Sequence, residues 1–340
     1  MKRLSVIVPM YNSAEWLPKC LDSILNQDIA ESDLEIICIN DGSPDDSEQV
    51  AKRYQAAHPD SIVVLTQENQ GPSGARNNGM RHATGKYLYF VDPDDYVEPN
   101  AFGGLLQKME GQQLDMLRFN YNIVDENYHP VKKRDFELRF DYSPCVMSGA
   151  EFLADRLDIA CNIWRYFYRT DIIVKNQIWC FTGDYFDDTP WLPLVLMKAE
   201  RIGICDTVVY NYQERSDSLV KATNPNAVKR KNDGYLLLMR LLQEEKHNIH
   251  SDTNIDSVLR DKIVMWYNMM ISHASLSYLT NAAVLGTQPI RCSFNELRKL
   301  NVFPLSQYKT SAKNKRKIWM FNHFPVLMMR VMRLKNGSKH

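Results

Sequence analysis

Three short stretches of this sequence place oxygen-rich side chains directly after apolar runs. Tyr11-Asn12 follows Leu4–Val8, a run stopped by Pro9. Asn40-Asp41-Gly42-Ser43 follows Leu34–Ile39, and Asp92-Pro93-Asp94-Asp95 follows Tyr87–Val91. Carboxylates this dense repel one another unless a positive charge sits among them. A hard divalent cation such as Mg²⁺ or Mn²⁺ takes oxygen ligands and usually arrives with substrate phosphates. An Asp-x-Asp at a strand end can place one carboxylate on the metal and the other on a sugar or ribose hydroxyl. The commoner use of an acidic turn is to cap the next helix, and Pro93 fits a turn equally well.

Three further stretches add to this set. Gly71-Pro72-Ser73-Gly74-Ala75-Arg76-Asn77-Asn78-Gly79 is a glycine-rich turn running into a helix that carries Arg76. A helix N-terminus and an arginine both favour an anion, with a plain turn and a solvated arginine as the alternative. Tyr185-Phe186-Asp187-Asp188-Thr189-Pro190-Trp191 sets two acids among aromatics. Apolar surroundings push a carboxylate toward a pKa suited to proton transfer, whereas the same pair could simply cap a helix beginning near Thr189. Tyr212, Arg215 and Ser218 are spaced as a polar loop able to close over a diphosphate, or as an ordinary surface loop. No Gly-Lys-Ser/Thr follows the glycine-rich turn, so it is not a nucleotide-triphosphate P-loop. The first strand lacks the G-x-G-x-x-G of a dinucleotide-binding dehydrogenase.

Alternating strands and helices are needed to hold these groups. Residues 4–8, 34–39, 62–65 and 87–91 read as strands. A helix carries Trp16–Leu25 behind an Asn12/Glu15 capping box, and others run over 47–57 and 73–82. Strands apolar throughout and separated by single helices predict a mainly parallel sheet covered on both faces, with ligands bound beyond the strands' carboxyl ends. After residue 120 the pattern loosens. Residues 125–142 read as a loop or edge hairpin, 149–157 and 161–168 as helices, and 203–212 as a closing strand. From Pro225 onward only helices are predicted, roughly 226–245, 255–279 and 293–300. The expected domains are an α/β domain over 1–220 and a helical region over 221–340 with a basic amphipathic end.

With 340 residues, 44% of them hydrophobic, the chain can bury a normal interior. Formal net charge is zero, yet residues 301–340 contain nine Lys or Arg and no Asp or Glu. The stretch Lys315-Arg316-Lys317-Ile318-Trp319-Met320-Phe321, followed by 324–334, suits an interfacial anchor on an anionic inner leaflet, or a helical cap with a solvated basic face. Basic residues confined to one end argue against nucleic acid as a partner. The seven cysteines are scattered, with no CxxC pair, and read as buried free thiols. No signal-peptide pattern opens the chain and no apolar stretch suffices to span a bilayer, so a cytoplasmic protein is expected, peripheral to the membrane if the basic end anchors it.

Taken together, the ordered motifs resemble those of the family 2 glycosyltransferases of bacterial polysaccharide synthesis. They are Val6-Ile7-Val8-Pro9-Met10-Tyr11-Asn12, then Asn40-Asp41-Gly42-Ser43, Gly74-Ala75-Arg76-Asn77 and Phe90-Val91-Asp92-Pro93-Asp94-Asp95. The resemblance covers the first 100 residues closely and extends loosely to about residue 220. It implies a GT-A fold, a nucleotide-sugar donor, a divalent cation and inversion at the anomeric carbon. It implies that Tyr11 and Asp41 contact the nucleotide base, that Arg76 lies near the nucleotide or its phosphates, and that Asp92 faces the ribose or donor sugar. Asp94 would hold the metal. Pro9, Asn12 and Arg215 complete the nucleotide-sugar contacts. The Asp187-Asp188 pair matches the family's Glu-Asp, whose second acid is the usual base, so Asp188 is the expected base. Residues Tyr212–Ser218 resemble the family's Tyr-x-x-Arg-x-x-Ser segment. Asn40 stands where Asp is common, and Asp187 where Glu is common. The acceptor would be a glycan or lipid-linked hydroxyl and the donor nucleotide uridine diphosphate. A hydrolase using water in the same crevice and a non-catalytic nucleotide-sugar binding module are the rival readings.

Overall fold

The first apolar runs form strands β1 (Leu4–Met10) and β2 (Leu34–Asn40), buried at every position. Strands apolar on both faces need cover on both faces, which crossover helices supply. With β3 (Ile62–Thr66) and β4 (Tyr87–Phe90) they make a parallel set in the order β3-β2-β1-β4. The connecting helices are α1 (Leu17–Leu25), α2 (Ser47–Ala57) and α3 (Gly71–His82). Leu4, Val6, Val8 and Met10 of β1 share a core with Leu17, Leu21 and Ile24 of α1 and with Phe102, Leu105 and Leu106 of α4 (Phe102–Gly111). On the other face Ile37 and Ile39 pack with Ala75 of α3. A Cβ on Gly79 would stand 2.5 Å from Cγ2 of Ile7. Only glycine lets α3 lie this close to the sheet, and that closeness brings Arg76 to the strand ends.

Two local expectations fail here. β1 runs through Pro9 instead of stopping before it. The last bond to β4 joins the Val91 amide to the Ile7 carbonyl, and Pro9 turns its nitrogen to that same side beyond the end of β4, so its missing N–H removes no ladder bond. The Asn12/Glu15 capping box is not made. Asn12 is left-handed (φ 51°), and the amides of Ser13 and Ala14 are met by Ser47 Oγ (2.8 Å) and Asp45 Oδ2 (2.9 Å) from the start of α2.

Beyond residue 100 the sheet turns mixed. Chain order gives β5 (Tyr96–Val97), β6 (Met116–Val124), β7 (Pro130–Val131), β8 (Val146–Met147), β9 (Tyr166–Arg169) and β10 (Ile202–Gln213). β9 runs antiparallel between β4 and β6, β10 lies parallel to β6, and β5 pairs antiparallel with β10. β7 forms an edge hairpin with β6, and β8 pairs with β10. Residues 161–168, predicted as a helix, instead make a short turn and then β9. The cause is tertiary: Phe167 lies 4.9 Å from Tyr89, 5.5 Å from Phe102 and 5.7 Å from Phe119, a packing that only a strand supplies. α5 (Gly149–Asp155), α6 (Thr170–Lys175) and α7 (Asp188–Leu196) complete this part, α5 through a Ser148/Glu151 capping box.

The remaining elements are α8 (Pro225–Ser251), α9 (Ser257–Leu285), α10 (Ile290–Lys299), α11 (Ala312–His323) and α12 (Pro325–Gly337). This is a computed structural model, and it describes residues 2–131, 140–157, 160–181, 186, 188–215, 224–285, 290–306 and 312–337. Its residues group into two compact units: Met1–Gly183 with Asp187–Ser216, and Asp184–Phe186 with Asp217–His340. The cysteines are free, five of them buried, with Cys145 half-buried and Cys292 exposed.

Candidate active site

In a sheet of this kind the ligand crevice lies beyond the carboxyl ends of the parallel strands. The turn after β4 supplies its acids. Asp92 Oδ1 accepts a hydrogen bond from Arg76 Nη2 at 2.6 Å, a pair with the guanidinium almost wholly buried. Asp94 Oδ2 pairs with Arg215 Nη1 at 3.0 Å, and the same guanidinium lies 3.6 Å over the ring of Trp16. Two carboxylates of one turn thus meet two arginines, one from α3 and one from just beyond β10.

Asp95 serves a different purpose. Its Oδ2 accepts from the Tyr210 hydroxyl at 2.5 Å and its Oδ1 from the Gln213 amide at 2.7 Å. The Tyr210 oxygen also accepts from the Asp92 amide at 3.2 Å. Tyr210 stacks on Trp164 at 4.3 Å with a 10° interplanar angle, and Tyr212 lies parallel to the same ring at 5.9 Å. β10 therefore fixes the shape of the acidic turn. Tyr210→Phe leaves a buried carboxyl and the Asp92 amide each short of a partner, and is expected to cost about 1–3 kcal/mol in urea unfolding. An unchanged unfolding midpoint would show that the turn holds without it.

Burial, then the charge of Asp92, pushes the Asp94 carboxyl up to about 6 against the opposing pull of Arg215. Burial, then Asp94 and Asp92, raises Asp95 well above the ordinary carboxylate range. One arginine does not offset the burial and the neighbouring carboxylate at Asp94, and its oxygens suit a hard divalent cation. Among the described residues, no three His, Cys, Asp or Glu side chains group closely enough to hold a metal alone. Asp94 with phosphate oxygens is a fitting donor set for Mg²⁺ or Mn²⁺, which keep few protein ligands. The sign of the pH effect follows. Asp94 is protonated in the fold below about 6, where a cation must displace that proton. Mn²⁺ should raise the melting temperature more at about pH 7.5 than at about pH 5. Equal shifts at both values would remove Asp94 from the metal site.

The other strand ends flank this turn. Asp41, buried after β2, accepts at Oδ1 from Gln67 Nε2 and the Gln70 amide, each at 2.8 Å, and so suspends the loop that enters α3. Gly42 follows in the left-handed region (φ 70°). Tyr11 is 53% exposed at the end of β1, and the exposed Asn12 donates its amide to Ser43 Oγ at 3.3 Å. Pro9 is buried inside β1, so it shapes the strand end and presents no side chain to a ligand.

Asp188 is the first residue of α7 and half-buried. Three residues on, Trp191 is fully buried, 5.7 Å from the ring of Phe90, which precedes Asp92 by two residues. Upstream, Asn77 clamps Cys180 through bonds of 2.8 Å and 2.7 Å to its carbonyl and amide. Cys180 is thus held to α3, and Trp191, one turn beyond Asp188 in α7, packs on β4. Asp187 and Ser218 lie outside the described residues. The structural roles of Asp95, Tyr210 and Trp16 were not read from the sequence. Asn77 carried a signal, since it adjoins Arg76 in the glycine-rich motif.

Parallel strands β1 to β4 extended by a mixed sheet, with an Asp-x-Asp turn at their carboxyl ends, define the GT-A fold. The structure of S. aureus TarS in complex with UDP aligns at a TM-score of 0.70, covering 99% of this chain and 92% of that one at 18% identity. Residues 5–163 match the model of glycosyl transferase family 2. The chain is 33% identical over 220 residues to the glycosyltransferase EpsJ of Bacillus subtilis, spanning 64% of this chain and 63% of that one. It is 32% identical over 258 residues to the glycosyltransferase YibD of Escherichia coli, 72% of each. It belongs to glycosyl transferase family 2.

Proposed function

We propose that the chain transfers a sugar from a uridine diphosphate sugar to an acceptor hydroxyl, with inversion at the anomeric carbon, in the assembly of a cell-surface polysaccharide. One observation carries the reading: Asp92 with Arg76, and Asp94 with Arg215, converge at the carboxyl end of β4. Uridine is supported by the GT-A relative TarS, solved with UDP. The polysaccharide is supported by the resemblance of the motifs to enzymes that build one.

Tyr11 and the loop hung on Asp41 would receive the base, and Asp92 the ribose or donor sugar. Asp94 would hold a divalent cation, which supplies electrostatic stabilisation to the diphosphate as negative charge collects there. Arg76 and Arg215 add fixed positive charge to the same end of the site. Arg215 faces the carboxylate that a cation would neutralise, so it is placed to turn toward a phosphate once that happens. Asp188, with Asp187 beside it, takes the proton of the acceptor hydroxyl as that oxygen attacks the opposite face of the sugar. A single displacement of this kind inverts the anomeric centre.

The test is UDP release from a panel of UDP-sugars with Mn²⁺, followed with and without glycan and lipid-linked acceptors. Release that rises with an acceptor supports transfer. Equal release without any acceptor contradicts it and identifies a hydrolase.

A further inference from the structure

We infer that the α11–α12 corner is a docking surface for an anionic lipid bilayer. A helix that is apolar around most of its circumference belongs in a core or an apolar medium. α12 is such a helix over Pro325–Met332, and its Met329 is fully buried, as are Ile318 and Phe321 of α11. The outward faces are apolar too. Trp319 is 45% exposed, Phe324 49% and Leu327 54%, with Val326 and Val331 also in water. Phe324 lies 5.7 Å from Trp319, so the indole and the phenyl ring join the two helices' exposed faces into one patch.

Charge identifies the occupant. Lys315 and Arg316 are exposed at i−4 and i−3 from Trp319, and Arg330 is exposed at i+4 from Val326 and i+3 from Leu327. No Asp or Glu occurs between residues 301 and 340. Cations interleaved with a tryptophan and large aliphatic side chains match a membrane interface, where apolar groups enter the acyl boundary and ammonium and guanidinium groups meet anionic headgroups. Exposed apolar side chains joined into one patch mark an interaction surface, whereas single scattered ones do not. No described helix is long and apolar enough to cross a membrane, so the contact is peripheral.

The surface is independent of the transfer chemistry, and its test is separable from it. The intact protein is sedimented with vesicles of phosphatidylglycerol and phosphatidylcholine, and with vesicles of phosphatidylcholine alone. Binding to the anionic vesicles is expected, weakening as salt rises. Trp319→Ala with Leu327→Ser should weaken it about tenfold or more, and Lys315→Gln with Arg316→Gln roughly fivefold per charge. UDP binding and melting temperature should stay unchanged in all variants. Absence of vesicle binding, or binding untouched by both pairs, overturns the inference. So does self-association that the Trp319/Leu327 pair abolishes while vesicles remain unbound, because the patch would then cover a second copy of the chain.

Discussion

Asp94→Asn is expected to lower turnover by about 10²–10³-fold or more and to make UDP binding indifferent to Mn²⁺. The argument rests on a single carboxyl. Asp94 is crowded by Asp92, desolvated, and offset by one arginine that stacks on Trp16. Ionising it without a cation works against the fold, because the folded state binds its proton more tightly than the unfolded chain does. The stability attached to that proton is full below the unfolded pKa and is lost as pH rises through about 6. The amide variant carries no such charge, so near neutral pH it should melt no lower than the parent. Loss of activity with melting preserved separates a metal ligand from a structural acid. Full turnover in Asp94→Asn, or the same Mn²⁺ dependence, would contradict the assignment.

Asp188→Asn is the second large effect: a drop of about 10²–10⁴ in kcat, with the affinity for UDP unchanged. Asp188 begins α7, where the helix dipole favours a carboxylate for reasons unrelated to chemistry. That role is worth only about 0.3–1 kcal/mol, so the two readings differ in what they predict. A helix-terminal acid gives a small loss in stability with turnover intact, and a base gives the reverse. Loss of UDP binding together with turnover would instead move Asp188 into the donor site.

The part of the site carried by local pattern was readable in the sequence, and the part carried by packing was not. Strands β1 to β4 are short apolar runs bounded by turns, so their ends, and with them Tyr11, Asp41, Asp92 and Asp94, could be placed from residue order alone. The glycine-rich motif likewise announced a helix carrying Arg76. The continuous apolar run of β1 to β4 is absent from β6 and β9. β6 instead alternates Leu117, Phe119, Tyr121 and Ile123 with Arg118, Asn120 and Asn122, the period of a strand with one polar face. Those polar residues are accommodated by partners distant in sequence: Arg118 donates to the Tyr166 hydroxyl at 2.5 Å, and Asn122 to Asn211 at 3.2 Å. β9, only Tyr166-Phe167-Tyr168-Arg169, is too short to show a period of its own, and the aromatic cluster around Phe167 holds it in the sheet. Tyr210 joins Asp92 and Asp95 across 118 and 115 residues of chain, a link that no spacing reveals. The Asn12/Glu15 capping box failed for the same reason, since the competing donors and acceptors came from α2.

Calorimetric titration of UDP into the protein with Mn²⁺, repeated after EDTA and with Asp94→Asn, bears most directly on the claim that the ends of β1, β2 and β4 form one pocket for a cation and a diphosphate. That claim predicts saturable binding with Mn²⁺ that EDTA abolishes and that Asp94→Asn does not recover when Mn²⁺ is supplied. UDP binding of equal affinity in all three conditions would contradict it.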